Sequence, residues 1–153
     1  MQLNEEQQRH FDEEGYIFVP DLFTAEEVAV LKGEIPEIFA QRRPEVIREK
    51  TGDVVRTAFA VHNYNDVYRR FISHPRILKP AQQLLGDELY IHQFKLNGKA
   101  AFDGDVWQWH QDYGVWQRDD DMPEPRAMNL AVFLDEVNEF NGPLYIVPKS
   151  HKA

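Results

Sequence analysis

Along the first half of this 153-residue chain, apolar positions recur every three or four residues. Val28, Leu31, Ile35, Ile38 and Phe39 keep such a spacing and share one face of a predicted helix. Thr24-Ala25-Glu26-Glu27 reads as its capping box, in which a hydroxyl and a carboxylate each satisfy an open backbone amide. The helix is predicted to run to about Arg42, with a bend at Pro36. Asn4 and Gln7 form a similar cap for a shorter helix that Gly15 stops. Two more helices are predicted over 66–72 and 75–85, the second with Pro75 at its first position. Short strands are expected at 16–19 and 54–61, and a polar loop at 43–53.

The second half switches to a period of two, the signature of strands. Over 89–99, Tyr90, His92, Phe94 and Leu96 share one face, while Gln93, Lys95, Asn97 and Lys99 share the other. Over 126–134, Met128, Leu130, Val132 and Leu134 alternate with Asn129, Ala131 and Phe133. Asn141-Gly142-Pro143 reads as a turn before a last strand at 144–147. Helices followed by turn-linked strands describe an α+β fold. The expectation is one domain over 1–153, helical over about 1–87 and β over about 88–153. A sheet ending at 144–147 would keep an open edge, so a C-terminal portion of the domain is expected to be missing.

Charge narrows the possible partners. Seventeen basic against 26 acidic residues give a net charge of −9, which argues against nucleic acid and against anionic membrane surfaces. No apolar run approaches the roughly 20 residues of a bilayer span. The N-terminus has neither the basic nor the apolar stretch of a signal peptide, so a cytoplasmic location is expected. With no cysteine, disulfides, thiolate zinc sites and cysteine nucleophiles are excluded. Six histidines remain as ligands or bases: His10, His62, His74, His92, His110 and His151.

The sharpest local signal is Trp109-His110-Gln111-Asp112. On a strand, residues two apart point to one side, so His110 and Asp112 can offer an imidazole nitrogen and a carboxylate oxygen to one metal ion. With a second histidine they would make the 2-His-1-carboxylate set of non-haem iron oxygenases. The spacing alone equally describes an exposed histidine beside a turn aspartate. Asp119-Asp120-Asp121 reads as a solvated acidic loop, and Arg126 as the partner of a nearby acidic residue.

The wider context is more specific. "WHQDYGVWQRDDDMPEPRAMNLAVFLDEVNEFNGPLYIVPKSHK" at 109–152 closely resembles the phytanoyl-CoA dioxygenase family, nearest its bacterial ectoine-hydroxylase-like branch. "YIHQFKLNGKAAF" and the N-terminal "FDEEGYIFVPDLFTAEEVAVLK" fit the same family. The resemblance implies a double-stranded β-helix (jelly-roll, cupin-like) core backed by N-terminal helices. It implies Fe(II)- and 2-oxoglutarate-dependent hydroxylation with O2, on an unactivated C–H of a small polar metabolite. His110 and Asp112 match two metal ligands; Lys95, Asn97 and Asn129 match positions facing 2-oxoglutarate. Gln93 and Trp116 match substrate-side positions, although Trp116 also suits a core. An aspartate at 112 leaves no coordination site for chloride, which favours hydroxylation over halogenation.

The chain also departs from the family pattern. The family's third ligand, a histidine, and the arginine for the far carboxylate of 2-oxoglutarate lie beyond the "PKSHK" segment. His151, in that segment, matches a non-ligand position. Poor turnover by these 153 residues alone is therefore expected. Two other readings stay open: a catalytically incompetent binding module, or a cupin-like metal protein using His110, Asp112 and His151 for other chemistry. Substrate identity and oligomeric state are not encoded in these patterns.

Overall fold

The computed structural model describes residues 1–50, 52–86, 88–99 and 108–152. Helices α1 (Glu5–Glu14) and α2 (Ala25–Ala40) start from the two predicted capping boxes, with both reciprocal bonds present in each. Helix α2 continues through Pro36 and buries Leu31 and Ile38. Strands β1 (Val46–Arg48) and β2 (Val55–Phe59) pair antiparallel, and a 3-10 turn at Val61–Asn63 leads into α3 (Asp66–Ile72). Asn65 caps α3, and His74 caps α4 (Pro75–Leu85) by accepting from the Arg76 amide. Strand β3 (Lys95–Asn97) joins β2 antiparallel, giving the sheet order β1-β2-β3. Helix α5 (Asp112–Asp120) follows, and a 3-10 turn at Ser150–Lys152 comes last.

One face of this sheet meets the helices. Val46, Ala58 and Leu96 pack with Leu31, Ile38, Val61 and Tyr68 into the central cluster. Tyr68 is 2% exposed, and its hydroxyl donates to the Leu31 carbonyl at 3.0 Å. Burial, with Glu34 nearby, pushes the Tyr68 phenol up to about 12. The folded value lies above the unfolded one near 10, so the neutral ring stabilises the fold fully below pH 10. That contribution is lost as pH rises from about 10 to about 12, roughly 2–3 kcal/mol in all. Urea denaturation at pH 9 and pH 12 should show this loss in the parent, and less of it in Tyr68→Phe.

The strand predictions of the second half need correction. Over 89–99 only Lys95–Asn97 forms a ladder, extended by a bond from the Ala60 amide to the Phe94 carbonyl at 2.9 Å. Residues 126–134 and 144–147, like 16–19, form no ladder among the described residues. A strand is made by its neighbour's carbonyls and amides, and alternation alone supplies none. The predicted faces nevertheless persist: Leu130, Val132 and Leu134 line a small cavity of about 80 Å³ with Leu31, Tyr68 and Lys95. Lys32 pins the end of this segment through Asp135 at 2.6 Å.

The expected loop at 43–53 contains β1, because Val46 is buried and Arg43 and Arg48 are held by Glu45 and Asp53. The sheet therefore draws strands from both sides of the boundary expected near residue 87. Arg126, expected to pair with a carboxylate, instead donates to the Leu85 carbonyl at 2.7 Å, at the end of α4. Among the described residues no helix is long and apolar enough to cross a membrane.

Candidate metal centre

His110 and Asp112 do converge, though not on a strand. Asp112 is the first residue of α5, where its carboxylate complements the positive end of the helix. Helix start signals were present in Asp112 in the first turn and Arg118 in the last, and the strand reading overlooked them. The chain enters extended through Gln111 (φ −108°, ψ 127°), so residues 110 and 112 still present the same side. His110 Nε2 lies 3.2 Å from Asp112 Oδ1.

Each of these groups is oriented by a neighbour that the sequence did not reveal in that role. His110 Nδ1 lies 2.6 Å from the Gln108 carbonyl, which can only accept, so Nδ1 carries the hydrogen. Nε2 is then the nitrogen that faces Asp112. Asn129 Nδ2 donates to Asp112 Oδ2 at 2.7 Å, leaving Oδ1 toward the imidazole. Outer partners of this kind select tautomer and direction for metal-binding side chains.

The donor set suits a divalent first-row ion. Two ligands at right angles, each about 2.1 Å from such an ion, stand about 3.0 Å apart. The 3.2 Å observed is close to that edge. The imidazole side chain is 46% exposed and the carboxylate 23%, so solvent can reach the pair. Among the described residues no group of three or more His, Cys, Asp or Glu side chains assembles around a common point.

Of the other expected site residues, Asn129 bonds to this pair, and the rest are placed by their own local contacts. Lys95 and Asn97 share a sheet face with Phe59 and Thr57, their partners across β2. Asn97 Oδ1 accepts from the buried Thr57 hydroxyl at 2.9 Å, and Lys95 Nζ stands 6.0 Å from the Phe59 ring. Asn129, expected on the co-substrate, is on Asp112. Gln93 is exposed before β3. Trp116 is buried, with the His92 ring edge-on at 4.9 Å, and His92 Nε2 lies 3.1 Å from Asp120 Oδ2. Asp119 pairs with Arg118, so two of the three consecutive aspartates have partners. His151 does not join His110: its Nε2 lies 3.1 Å from the Asp12 carbonyl. This removes the support for His151 as a substitute ligand.

Comparison with known proteins decides the family. Residues 11–153 match the phytanoyl-CoA dioxygenase (PhyH) family. The chain belongs to that family. It is 37% identical over 143 residues to L-proline trans-4-hydroxylase of Streptomyces griseoviridis, covering 94% of this chain and 53% of that protein. It is 37% identical over 154 residues to the ectoine dioxygenase of Bordetella bronchiseptica, covering 98% of this chain and 50% of that one. Among solved structures, the EctD protein of S. alaskensis with 2-oxoglutarate and 5-hydroxyectoine matches with a TM-score of 0.76 at 34% identity. That match covers 81% of this chain and 45% of EctD, which has also been solved with bound Fe. The chain spans about half the length of the curated relatives it matches. As a PhyH-family chain it combines a helical layer with a mixed-origin sheet, in the arrangement of EctD.

Proposed function

We propose that this PhyH-family chain carries the first half of an Fe(II)- and 2-oxoglutarate-dependent hydroxylase site, within one jelly-roll domain, for a small polar zwitterion. The observation that supports it most is the His110–Asp112 pair, with Nδ1 held by the Gln108 carbonyl, Nε2 facing Asp112 and Oδ1 turned toward it. Bound there, iron would couple decarboxylation of 2-oxoglutarate to insertion of an oxygen atom from O2 into a C–H bond. His110 and Asp112 would hold the ion, and the half-exposed imidazole leaves room for co-substrate to approach. Lys95 and Asn97 present a cation and an amide on the sheet face carrying Phe59, suited to a carboxylate. Gln93 and Trp116 are assigned to the substrate side, and Asn129 to the boundary between ligand and co-substrate. Ectoine and L-proline, the substrates named for the relatives, are both compact ring zwitterions, and we assign this chain the same chemical class.

The exposed apolar side chains of 130–147 support the jelly-roll reading. Phe133, Phe140, Leu144, Tyr145, Ile146 and Val147 are each between 47% and 88% exposed. Further strands would cover them, and the third metal ligand and the carboxylate-binding arginine would come from those strands. The test compares the 153-residue chain with a chain continued into the second half of the Bordetella bronchiseptica ectoine dioxygenase. Both receive Fe(II), 2-oxoglutarate, ascorbate and air, with ectoine, L-proline and related zwitterions offered singly. The longer chain should release succinate in step with one hydroxylated product, and the short chain little. Failure of the folded longer chain to consume 2-oxoglutarate with any of them would overturn the proposal.

A further inference from the structure

Gln111 stands between the two candidate ligands and points away from both. A residue at a helix N-cap ordinarily turns its side chain back onto the first turn. Gln111 makes no such cap. Its Nε2 donates instead to the Ser150 carbonyl, 2.6 Å away and 39 residues on in the chain. Ser150 opens the last 3-10 turn, and that turn is fastened to the C-terminus of α1. The Lys149 amide donates to the Glu14 carbonyl at 2.8 Å, and Lys149 Nζ lies 3.4 Å from Glu14 Oε1. His151 Nε2 reaches the Asp12 carbonyl at 3.1 Å. Helix α1 has no basic residue in its own last turn, so the 149–151 segment supplies the donors its open carbonyls require. Gly15 is required here twice: its φ is +86°, and a Cβ would run into the His151 ring.

We propose that residues 149–151 are a brace that sets the direction of the His110–Asp112 pair through Gln111, making Gln111 and His151 positioning residues for metal binding. The inference deepens the proposed function and rests on it. In the extended stretch 110–112, the middle side chain points opposite to its neighbours. Fixing Gln111 at the back fixes the backbone rotation that aims both ligands at the front. Asn129 can orient only Asp112. The brace thus links the end of α1 to the metal pair by a route that bypasses the central core.

The experiment uses Gln111→Ala, His151→Ala, His151→Gln and Gly15→Ala. Three quantities are read: Mn(II) affinity by electron paramagnetic resonance, hydrogen exchange of the Gly114 amide without metal, and the thermal midpoint. The Gly114 amide reports on this loop because it donates to the Gln111 carbonyl at 3.2 Å. Gln111→Ala, His151→Ala and Gly15→Ala should each weaken Mn(II) binding about 10-fold, as loss of an outer partner does. They should also speed Gly114 exchange, with midpoints close to the parent for Gln111→Ala and His151→Ala and a lower midpoint for Gly15→Ala, because alanine takes up a φ of +86° only under strain. His151→Gln keeps a donor for the Asp12 carbonyl and should restore both. Unchanged affinity and exchange in Gln111→Ala and His151→Ala overturn the brace, as does a loss that His151→Gln fails to restore. A parent that binds no Mn(II) contradicts the metal site itself, while Gly114 exchange still decides whether the brace exists.

Discussion

His110→Ala is expected to weaken divalent-metal binding by more than about 100-fold, beyond the range that loss of an outer partner produces. The variant leaves Asp112 Oδ1 as one carboxylate oxygen facing solvent, and a single exposed carboxylate is a weak ligand in competition with water. Asp112→Ala should do the same by the complementary route and also free Asn129. Asp112→Asn separates geometry from charge, because it keeps the shape while removing the anion. Calorimetric titration with Co(II) or Mn(II) reads the effect directly, and in the longer chain succinate release should fall with it. Stability should change little, since both side chains sit on the accessible side of the loop. A His110→Ala protein that retains parental metal affinity would show that the ion binds elsewhere.

Tyr68→Ala carries the largest expected cost to the fold itself, about 3–5 kcal/mol. Its ring is in edge contact with Phe71 at 6.4 Å and Phe94 at 5.9 Å, and its hydroxyl holds the Leu31 carbonyl. Truncation opens a void at the meeting point of α2, α3 and the sheet, where Ile38 and Val61 are also almost fully enclosed. Domains of this size are stable by only about 5–15 kcal/mol, so the variant should lose much of its margin. Tyr68→Phe removes the hydrogen bond alone and should cost about 1 kcal/mol. Urea titration at pH 7 distinguishes the two. Equal midpoints for Tyr68→Ala and Tyr68→Phe would mean that the ring does not carry the core.

The helical half was legible because its signals are local. Two capping boxes, a proline at the start of α4 and the spacing of Leu31, Ile35 and Ile38 each act within a few residues. Hydrogen bonds inside a helix close between near neighbours, so such patterns suffice to place it. Strands were read less well for the opposite reason. Strand β1 contributes three residues and exists because β2 lies beside it, whereas 126–134 alternates cleanly and still has no ladder among the described residues. Alternation fixes which side chains share a face, and that much was right for Leu130, Val132 and Leu134.

The site divides along the same line. By itself the sequence determined the family, through long motifs in 90–152, and it determined the chemistry of the pair, an imidazole and a carboxylate two residues apart. It also determined that none of these 153 residues offers a thiolate. Tertiary structure alone decided that Asn129 turns the Asp112 carboxylate and that His151 serves the end of α1. Those outcomes depend on groups 17 and 139 residues apart in the chain, and no local preference encodes contacts at that range. Residue type sets what a side chain can bind. The packing of distant segments sets what it meets.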